Sequence, residues 1–241
     1  MAILEVGKDN KEAENQLAKV IPFERKRWEK LCCIPPRYAE ATFENFDKSR
    51  QPEAFEVMLN YDWHEGKSLV LFSPKTYGVG KTHLVCALLH KITRTDTVAK
   101  ILPRQMRDGL TGASYSDYQV ITLPCPIRFS TETELIARIK ATFNSGNAET
   151  EEMVFSELMY CGLLVIDDVG KVKPRDLSFL QSVYYRIIDG RYGQMLPIII
   201  TTNLDVVKLE EHLGGACADR LVQMCGKNFV RMAGKSYRET D

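Results

Sequence analysis

The stretch FSPKTYGVGKTHL, residues 72–84, decides how the rest of the chain is interpreted. It fits the end of the pattern G-x-x-x-x-G-K-[ST], which is typical of phosphate-binding loops. Gly80, Lys81 and Thr82 occupy the last three positions. Lys75 stands at the first position, where the pattern has glycine. The question is whether this loop still binds a nucleotide, and for what purpose.

The flanks of the loop support a phosphate site. An apolar strand pattern, SLVLF, occupies residues 68–72, and a helical pattern, THLVCALLHKI, occupies residues 82–92. Such a loop needs this context, because inward-facing backbone N–H groups and the start of a helix attract the phosphates together. The alternative is a chance glycine-rich turn, and these flanks disfavour it. We therefore expect a slightly expanded loop that binds phosphate. The residues expected to contact the nucleotide are Gly78, Val79, Gly80, Lys81, Thr82 and His83.

Four polar side chains near the loop are expected to do the chemistry. The Lys81 ammonium is expected to reach the terminal phosphates, and the Thr82 hydroxyl to ligate Mg²⁺. LLVI at 163–166 predicts a second buried strand, and Asp167 and Asp168 follow it directly. We expect Asp167 to hold Mg²⁺ and Asp168 to orient and polarise an attacking water. A solvated turn is the alternative for the two aspartates.

The remaining patterns predict an α/β fold. PIIITTN, residues 197–203, predicts another buried strand, and Asn203 at its tip is placed to hydrogen-bond the water or the terminal phosphate. Asparagine at a strand end is otherwise a common turn residue. A helix is predicted over 176–190, ending at Gly190, and a weaker last strand over 228–232. Buried strands that alternate with helices indicate a three-layer αβα domain with a central parallel sheet.

Two segments stand apart from this rhythm. Residues 1–37 are expected to form a short N-terminal helical arm, although Pro22 interrupts the helical spacing. The arm is expected to pack on the main domain, with partner docking as the alternative. The main domain is expected to span 38–241. Within it, the charged stretch 93–125 breaks the alternation and predicts an inserted surface segment.

Composition excludes several classes of protein. Lys plus Arg and Asp plus Glu both number 32, so no global charge attracts nucleic acid, and any such surface must be local. The 7 cysteines include no C-x-x-C pair, which disfavours a zinc site or a disulfide framework. No apolar run approaches the length of a membrane span, and the N-terminus has no signal-peptide pattern. We expect a cytoplasmic protein that does not enter a membrane.

Seven segments carry a family resemblance, in this order along the chain: PPRYAEATFENF, GVGKTHL, LLVIDDVG, IIDGRY, PIIITTNL, DRLVQMC and GKSYR. They resemble the AAA+ ATPases, and among these the bacterial helicase-loader family of DnaC and DnaI type together with the IstB-like transposition helpers. The resemblance spans roughly residues 34 to 238.

The resemblance implies an AAA+ core in which ATP lies between neighbouring subunits of a self-associated protein. It implies that Arg220 is an arginine finger for the next subunit, and that Arg238 is a sensor-like arginine at the nucleotide. The alternative for Arg220 is a helix-surface arginine paired with Asp219. Asp168 stands where most AAA+ enzymes have glutamate, which implies slow hydrolysis. Residues 130–145 correspond to a DNA-contacting insertion in the family.

Several functions follow from the resemblance and stay open. The first is an ATP-dependent loader that places a ring helicase on single-stranded DNA, and the second is a helper that regulates a transposase. About 35 residues precede the core, which leaves little room for a separate helicase-binding domain and favours the helper. A third possibility is a nucleotide-gated adaptor with little hydrolysis. DNA binding itself rests on basic residues within 91–107 and on Lys227, Arg231 and Lys235. Binding of single strands through these residues would be salt-sensitive and sequence-tolerant.

Overall fold

The structure is a computed structural model, which describes residues 3–6, 10–144, 146–173 and 177–237. The described chain contains both helices and strands. In chain order they are β1 (Ile3–Val6), α1 (Asn10–Leu31), α2 (Pro52–Leu59), β2 (Leu69–Phe72), α3 (Lys81–Thr95), β3 (Ala99–Arg107), β4 (Ser114–Thr122), β5 (Ile127–Thr131), α4 (Glu132–Ala141), α5 (Glu151–Tyr160), β6 (Leu163–Val169), α6 (Leu177–Gly193), β7 (Ile198–Thr202), α7 (Val206–Leu213), α8 (Gly215–Cys225) and β8 (Phe229–Arg231). No helix in the described ranges has the length and apolar character that a bilayer crossing requires.

The chain folds into two compact units. The smaller unit comprises Met1–Cys32 and Leu89–Cys125, and the larger comprises Cys33–Leu88 and Pro126–Asp241. The expected division was different, with an arm over 1–37 and an insertion over 93–125 that belonged to the main domain. In the structure, the N-terminal helix and residues 89–125 belong to the same unit.

A five-stranded sheet forms the centre of the larger unit, with strand order β5-β6-β7-β2-β8. All four neighbouring pairs are parallel. Strand β7 and residues Leu163–Asp167 of β6 are buried throughout, which is what helices on both faces of a parallel sheet require. The predicted fold class, a three-layer α/β domain with a central parallel sheet, is confirmed.

The register of the sheet brings the predicted site residues to one edge. Thr131 at the end of β5 lies opposite Asp167 of β6. The pairing of β6 with β7 shifts between Ile166 and Val169, so a bulge falls at the two aspartates. Strand β6 therefore runs three residues beyond the predicted LLVI, and it includes both carboxylates.

Helix α6 continues past Gly190 to Gly193, so the predicted end at Gly190 is wrong. A Cβ at Gly190 would lie 2.7 Å from the Sδ atom of Met159 on α5. Gly190 therefore permits a close approach of the two helices, and it does not end α6. Pro22 likewise lies inside α1 without ending it.

The smaller unit contains a three-stranded antiparallel sheet, with order β1-β4-β3. Strands β3 and β4 form a hairpin that spans most of the stretch expected to be a surface insertion. Helix α1 packs on this sheet through a small apolar cluster. Its members are Ala13, Leu17, Val20, Ala99, Ile101, Tyr118 and Val120.

Side chains near the end of α1 bond to the segments that flank the hairpin. The Trp28 indole N–H donates to the Leu123 carbonyl at 3.2 Å, and Trp28 is 2% exposed. The Arg25 guanidinium donates to the Thr93 carbonyl at 2.9 Å. These bonds hold α1 against the segments that enter and leave the hairpin.

We expect Trp28→Ala to destabilise the smaller unit by about 3–5 kcal/mol, because truncation of a buried aromatic side chain leaves a cavity. The measurement is amide hydrogen exchange of β3 and β4, where protection should fall. Phe23→Ala is the matched control, since Phe23 lies on the same helix and is 69% exposed. Equal loss of protection in both variants would contradict this packing.

Candidate functional site

A cleft of about 460 Å³ lies at the carboxyl edge of the five-stranded sheet. All six predicted loop residues, from Gly78 to His83, line this cleft. Asp167, Asp168 and Asn203 line it as well. The structure therefore brings together nine of the predicted site residues, which come from three separate stretches of the chain.

The loop adopts the backbone conformation that its glycines allow. Gly78 has a φ of 71° and Gly80 a φ of 95°, in the left-handed region that glycine enters without strain. A Cβ at Gly80 would come within 2.6 Å of the Phe46 ring, so side-chain crowding also demands glycine there. Lys75 has a φ of 63°. The chain thus takes up a left-handed conformation at this position even though lysine replaces the glycine of the pattern.

The Lys81 ammonium in the cleft donates hydrogen bonds to two side-chain oxygen atoms. Its Nζ donates to Asn203 Oδ1 at 2.7 Å and also to the hydroxyl of Ser73. The Lys81 residue is 7% exposed, and Ser73 is fully buried. An ammonium ion in such a place costs desolvation energy, which a phosphate at the same position would offset. Asn203 therefore lies within reach of the predicted phosphate site, as its position after β7 suggested.

Asp167 is a buried carboxylate, with hydroxyl donors around it. Thr201 Oγ1 donates to Asp167 Oδ1 at 2.5 Å, and Thr82 Oγ1 to Oδ2 at 3.0 Å. Burial raises the pKa of Asp167 to about 6. The hydrogen bonds from Thr201 and Thr82 and the Lys81 charge lower this pKa, the Asp168 charge raises it, and burial outweighs the lowering contributions. The carboxylate is thus poorly compensated in this structure, and a cation beside it would remove the imbalance.

Asp168 departs from regular strand geometry. Its φ is 58°, in the left-handed region, and its N–H donates to Thr201 Oγ1 at 2.9 Å. Successive side chains of a regular strand point to opposite faces. The bulge and the left-handed residue break this alternation, and both aspartates line the cleft. A non-glycine residue held in this region is a feature that clusters at functional sites.

The residues at the cleft suit Mg²⁺. Thr82 and Asp167 offer adjacent oxygen atoms, and Mg²⁺ is usually held by one or two protein oxygens together with water and substrate phosphates. Within the described ranges, no cluster of three or more His, Cys, Asp or Glu side chains could hold a metal by itself. The donor set therefore fits a cation that arrives with a nucleotide, and it does not fit an all-protein metal cage.

The other predicted residues have different surroundings. His83 Nε2 lies 3.0 Å from the Thr42 carbonyl, on the wall of the cleft. Arg220 does not line the cleft; it pairs with Asp189 at 3.0 Å, and not with Asp219 as the alternative supposed. Its role as a finger for a neighbouring subunit stays a prediction. Arg238 lies outside the described residues.

The cleft has a wall that the sequence did not predict. The Tyr237 N–H donates to the Gly78 carbonyl at 2.8 Å, and the Tyr237 hydroxyl donates to the Asp47 carbonyl at 2.8 Å. The Tyr237 ring lies 5.5 Å from that of Phe46, and the Arg50 guanidinium lies 3.9 Å above it. The segments FENF and GKSY supply this wall. Both belong to the motifs that carry the family resemblance, and this resemblance was the sequence signal from which the wall could have been predicted.

Sequence comparisons find a matching family and relatives of this chain. A family model described as IstB-like ATP binding protein matches residues 117–241. The replicative helicase loader DnaC of Buchnera aphidicola subsp. Baizongia pistaciae is 24% identical over 207 residues, which are 84% of this chain and 71% of the relative. An uncharacterized protein of Escherichia coli strain K12, YdaV, is 23% identical over 209 residues, which are 85% of this chain and 71% of the relative.

Two solved structures have a similar fold. A crystal structure of the DnaC helicase loader has a TM-score of 0.57 at 22% identity, covering 82% of this chain and 98% of that chain. AMPPCP-bound DnaA from Aquifex aeolicus has a TM-score of 0.57 at 17% identity, covering 83% of this chain and 51% of that chain. At these identities the likeness concerns the fold, which is that of a P-loop AAA+ domain.

The raised pKa of Asp167 generates a prediction about stability. Because the folded protein binds this proton more tightly than the unfolded chain, stability should fall as pH rises from about 4 to about 6. Asp167→Asn removes the buried charge, so at pH 7 we expect the variant to be more stable by up to about 3 kcal/mol. The melting temperature without nucleotide or Mg²⁺ measures this.

Glu152→Gln is the control for Asp167→Asn, since Glu152 is an exposed carboxylate on α5. It should leave the melting temperature almost unchanged. The advantage of Asp167→Asn should shrink at pH 4, where the parent carboxyl is protonated. A variant that melts below the parent at pH 7 would contradict the poor compensation of this charge.

Lys75 generates a second prediction at this site. A left-handed lysine is strained by about 1–2 kcal/mol, whereas glycine is not, although glycine loses more conformational entropy on folding. We therefore expect Lys75→Gly to leave the free energy of unfolding unchanged or to raise it by up to about 1 kcal/mol. Lys75→Val should lower it, because a β-branched residue is poorly tolerated there. Urea unfolding measures both, and the reverse order would refute the strain.

Proposed function

The chain belongs to the IstB-like ATP-binding protein family, and from that premise we propose that it binds ATP with Mg²⁺ in the cleft and hydrolyses it slowly. The observation that supports this most is the contact between Lys81 and Asn203, which lie 122 positions apart in the chain and meet at 2.7 Å in the cleft. A lysine and an asparagine, which can both bind a terminal phosphate, are thereby adjacent in the cleft.

The loop and its neighbours would bind the phosphates and the metal. Helix α3 begins at Lys81, so its N-terminal N–H groups add to those of the loop. On nucleotide binding, Lys81 would exchange its neutral partners for the terminal phosphates. Thr82 and Asp167 would hold Mg²⁺, which supplies charge neutralisation between the phosphates.

The aromatic wall would receive the base of the nucleotide. Tyr38, Phe46 and Tyr237 line the cleft together with the loop. Aromatic rings stack on nucleobases irrespective of sequence. Phe46 is buried and touches Tyr237 and His83 with its ring, so the wall is fixed before the ligand arrives.

Hydrolysis would use Asp168 and Asn203 from this chain. Asp168 would orient the attacking water and accept its proton, and Asn203 would hold the water or the terminal phosphate. The aspartate side chain is one methylene shorter than the usual glutamate, so turnover would be slow. Arg220 would act on ATP bound by a neighbouring copy, after leaving Asp189; its planar, permanently charged guanidinium suits this role.

The cellular role that we propose is the loading of a ring helicase on single-stranded DNA. The support is the similarity to a relative that is a replicative helicase loader. A transposition helper that regulates a transposase is the second candidate, and the IstB-like family description favours it. A nucleotide-gated adaptor without appreciable turnover is the third, and a measured hydrolysis rate would exclude it.

The deciding experiment is size-exclusion chromatography with light scattering. The protein is mixed with the replicative helicase of its host, or with a transposase, with and without ATP, and Lys81→Ala runs in parallel. An ATP-dependent complex with the helicase that is lost in Lys81→Ala supports the loader. A complex with the transposase alone supports the helper, and no complex in any nucleotide state contradicts both.

Hydrolysis in mixed assemblies tests the role of Arg220. Lys81→Ala and Arg220→Ala should each lower the rate by about 10³-fold, because each removes positive charge from the transition state. A mixture of the two variants should regain a measurable share of the parent rate, since Arg220 of one copy can then serve the intact loop of another. Arg186→Ala, a surface arginine on α6 paired with Glu151, is the control and should keep the parent rate. A mixture as inactive as its components would contradict action between copies.

A further inference from the structure

Glu132, the first residue of α4, has no place in the site derived above. Its carboxylate is fully buried. The helix is capped without it, because Thr131 and Glu134 form the capping box. A buried carboxylate is rare unless it is paired, so its partners indicate what it does.

Four donors surround the Glu132 carboxylate. Oε2 accepts from the backbone N–H of Gly170 at 3.0 Å and from that of Val172 at 2.8 Å. Oε1 accepts from the Tyr184 hydroxyl at 2.7 Å and lies 2.5 Å from His212 Nε2. Burial by itself raises the pKa of Glu132, but the hydrogen bonds from His212, Val172 and Tyr184 lower it below its usual value. The network therefore holds a charged carboxylate inside the unit.

The network connects three segments that carry site residues. Thr131, next to Glu132, lines the cleft and lies opposite Asp167 in the sheet. Gly170 follows Asp168 by two positions. His212 lies on α7, the helix that begins three positions after Asn203.

A second contact joins two of these segments directly. Gly170 has a φ of 96°, and a Cβ there would lie 2.6 Å from the Leu204 side chain. Leu204 is the residue after Asn203. The loop after Asp168 and the turn after Asn203 are therefore packed without room for a methyl group, and Glu132 anchors that loop through Gly170 and Val172.

We propose that Glu132 is a positioning residue that holds Asp168 and Asn203 in the relative placement that ATP hydrolysis requires. A displacement of Asn203, when Lys81 leaves it for a phosphate, would be carried along α7 to His212 and Glu132. From there it would reach the loop that follows Asp168. Replacing Glu132 by an apolar residue would leave the backbone N–H groups of Gly170 and Val172 unpaired and would release the loop after Asp168 from its anchor. This inference rests on the proposed function.

The test separates chemistry from binding. His212→Leu removes one donor, His212→Gln keeps a donor near the position of Nε2, and Glu132→Gln keeps the shape without the charge. We expect the Kd for a fluorescent ATP analogue to stay within about 3-fold of the parent value. We expect kcat for ATP hydrolysis to fall by about 10- to 100-fold in His212→Leu and Glu132→Gln, since a small misplacement of a reacting group has such an effect. His212→Gln should recover part of kcat.

Two controls address folding. Tyr184→Phe removes one hydrogen bond to Glu132 with little change of shape. Its kcat replaces that of Glu132→Gln in the test if the Glu132→Gln variant fails to fold. Ile187→Val lies one turn away in the same buried cluster and makes none of the network hydrogen bonds. It should lower the melting temperature without changing kcat.

The outcomes distinguish the proposed hydrolysis of ATP from the positioning role of Glu132. A parent protein that binds ATP and does not hydrolyse it overturns the proposed hydrolysis, and the inference with it. A parent that hydrolyses ATP with an unchanged kcat in His212→Leu overturns the inference alone. An equal loss of kcat in Ile187→Val, or a loss of affinity that matches the loss of kcat, also overturns it, because the network would then be merely structural.

Discussion

The parallel alignment of the five strands is the constraint on which the rest of the larger unit depends. A parallel sheet must be covered on both faces, so its strands are apolar along their length and polar residues appear only where the strands end. All carboxyl ends then meet at one edge, where the loop after β2, the aspartates of β6 and Asn203 after β7 come together. The site is a consequence of strand direction, since ligands of open α/β sheets bind beyond these ends.

Several charged side chains of the larger unit are buried. Lys81, Asp167 and Glu132 are each below one-tenth exposed, and each is held by a different kind of partner. Lys81 donates to Asn203, and Asp167 accepts hydrogen bonds from two hydroxyls, with its pKa raised to about 6. Glu132 has four donors, and the pKa of its carboxyl is lowered. The raised pKa of Asp167 suits a cation beside it, whereas the carboxylate of Glu132 is fully hydrogen-bonded and suits the task of holding other residues in place.

The smaller unit contains strands that the local sequence pattern did not predict. The stretch 93–125 was predicted to be an inserted surface segment, because it is rich in charges and breaks the alternation of apolar strands and helices. It forms two strands of an antiparallel sheet, which are half-exposed along much of their length. Strands that are covered on one face by a single helix need few buried residues, and Ala99 and Val120 are the buried members of this sheet in its apolar cluster. Such strands have a weak sequence signal.

The sequence by itself determined the elements whose signals are local: the loop at 72–84, the apolar strands beside it, the aspartate pair and Asn203, since each lies within one short pattern. Only the tertiary structure decided which distant side chains share an environment. It joined Tyr237 to Gly78 and Glu132 to Gly170 and His212. It also showed that Gly190 lies inside α6, where the absence of a side chain leaves space for Met159 of another helix. These contacts depend on how separate elements pack, and no periodicity along the chain encodes that.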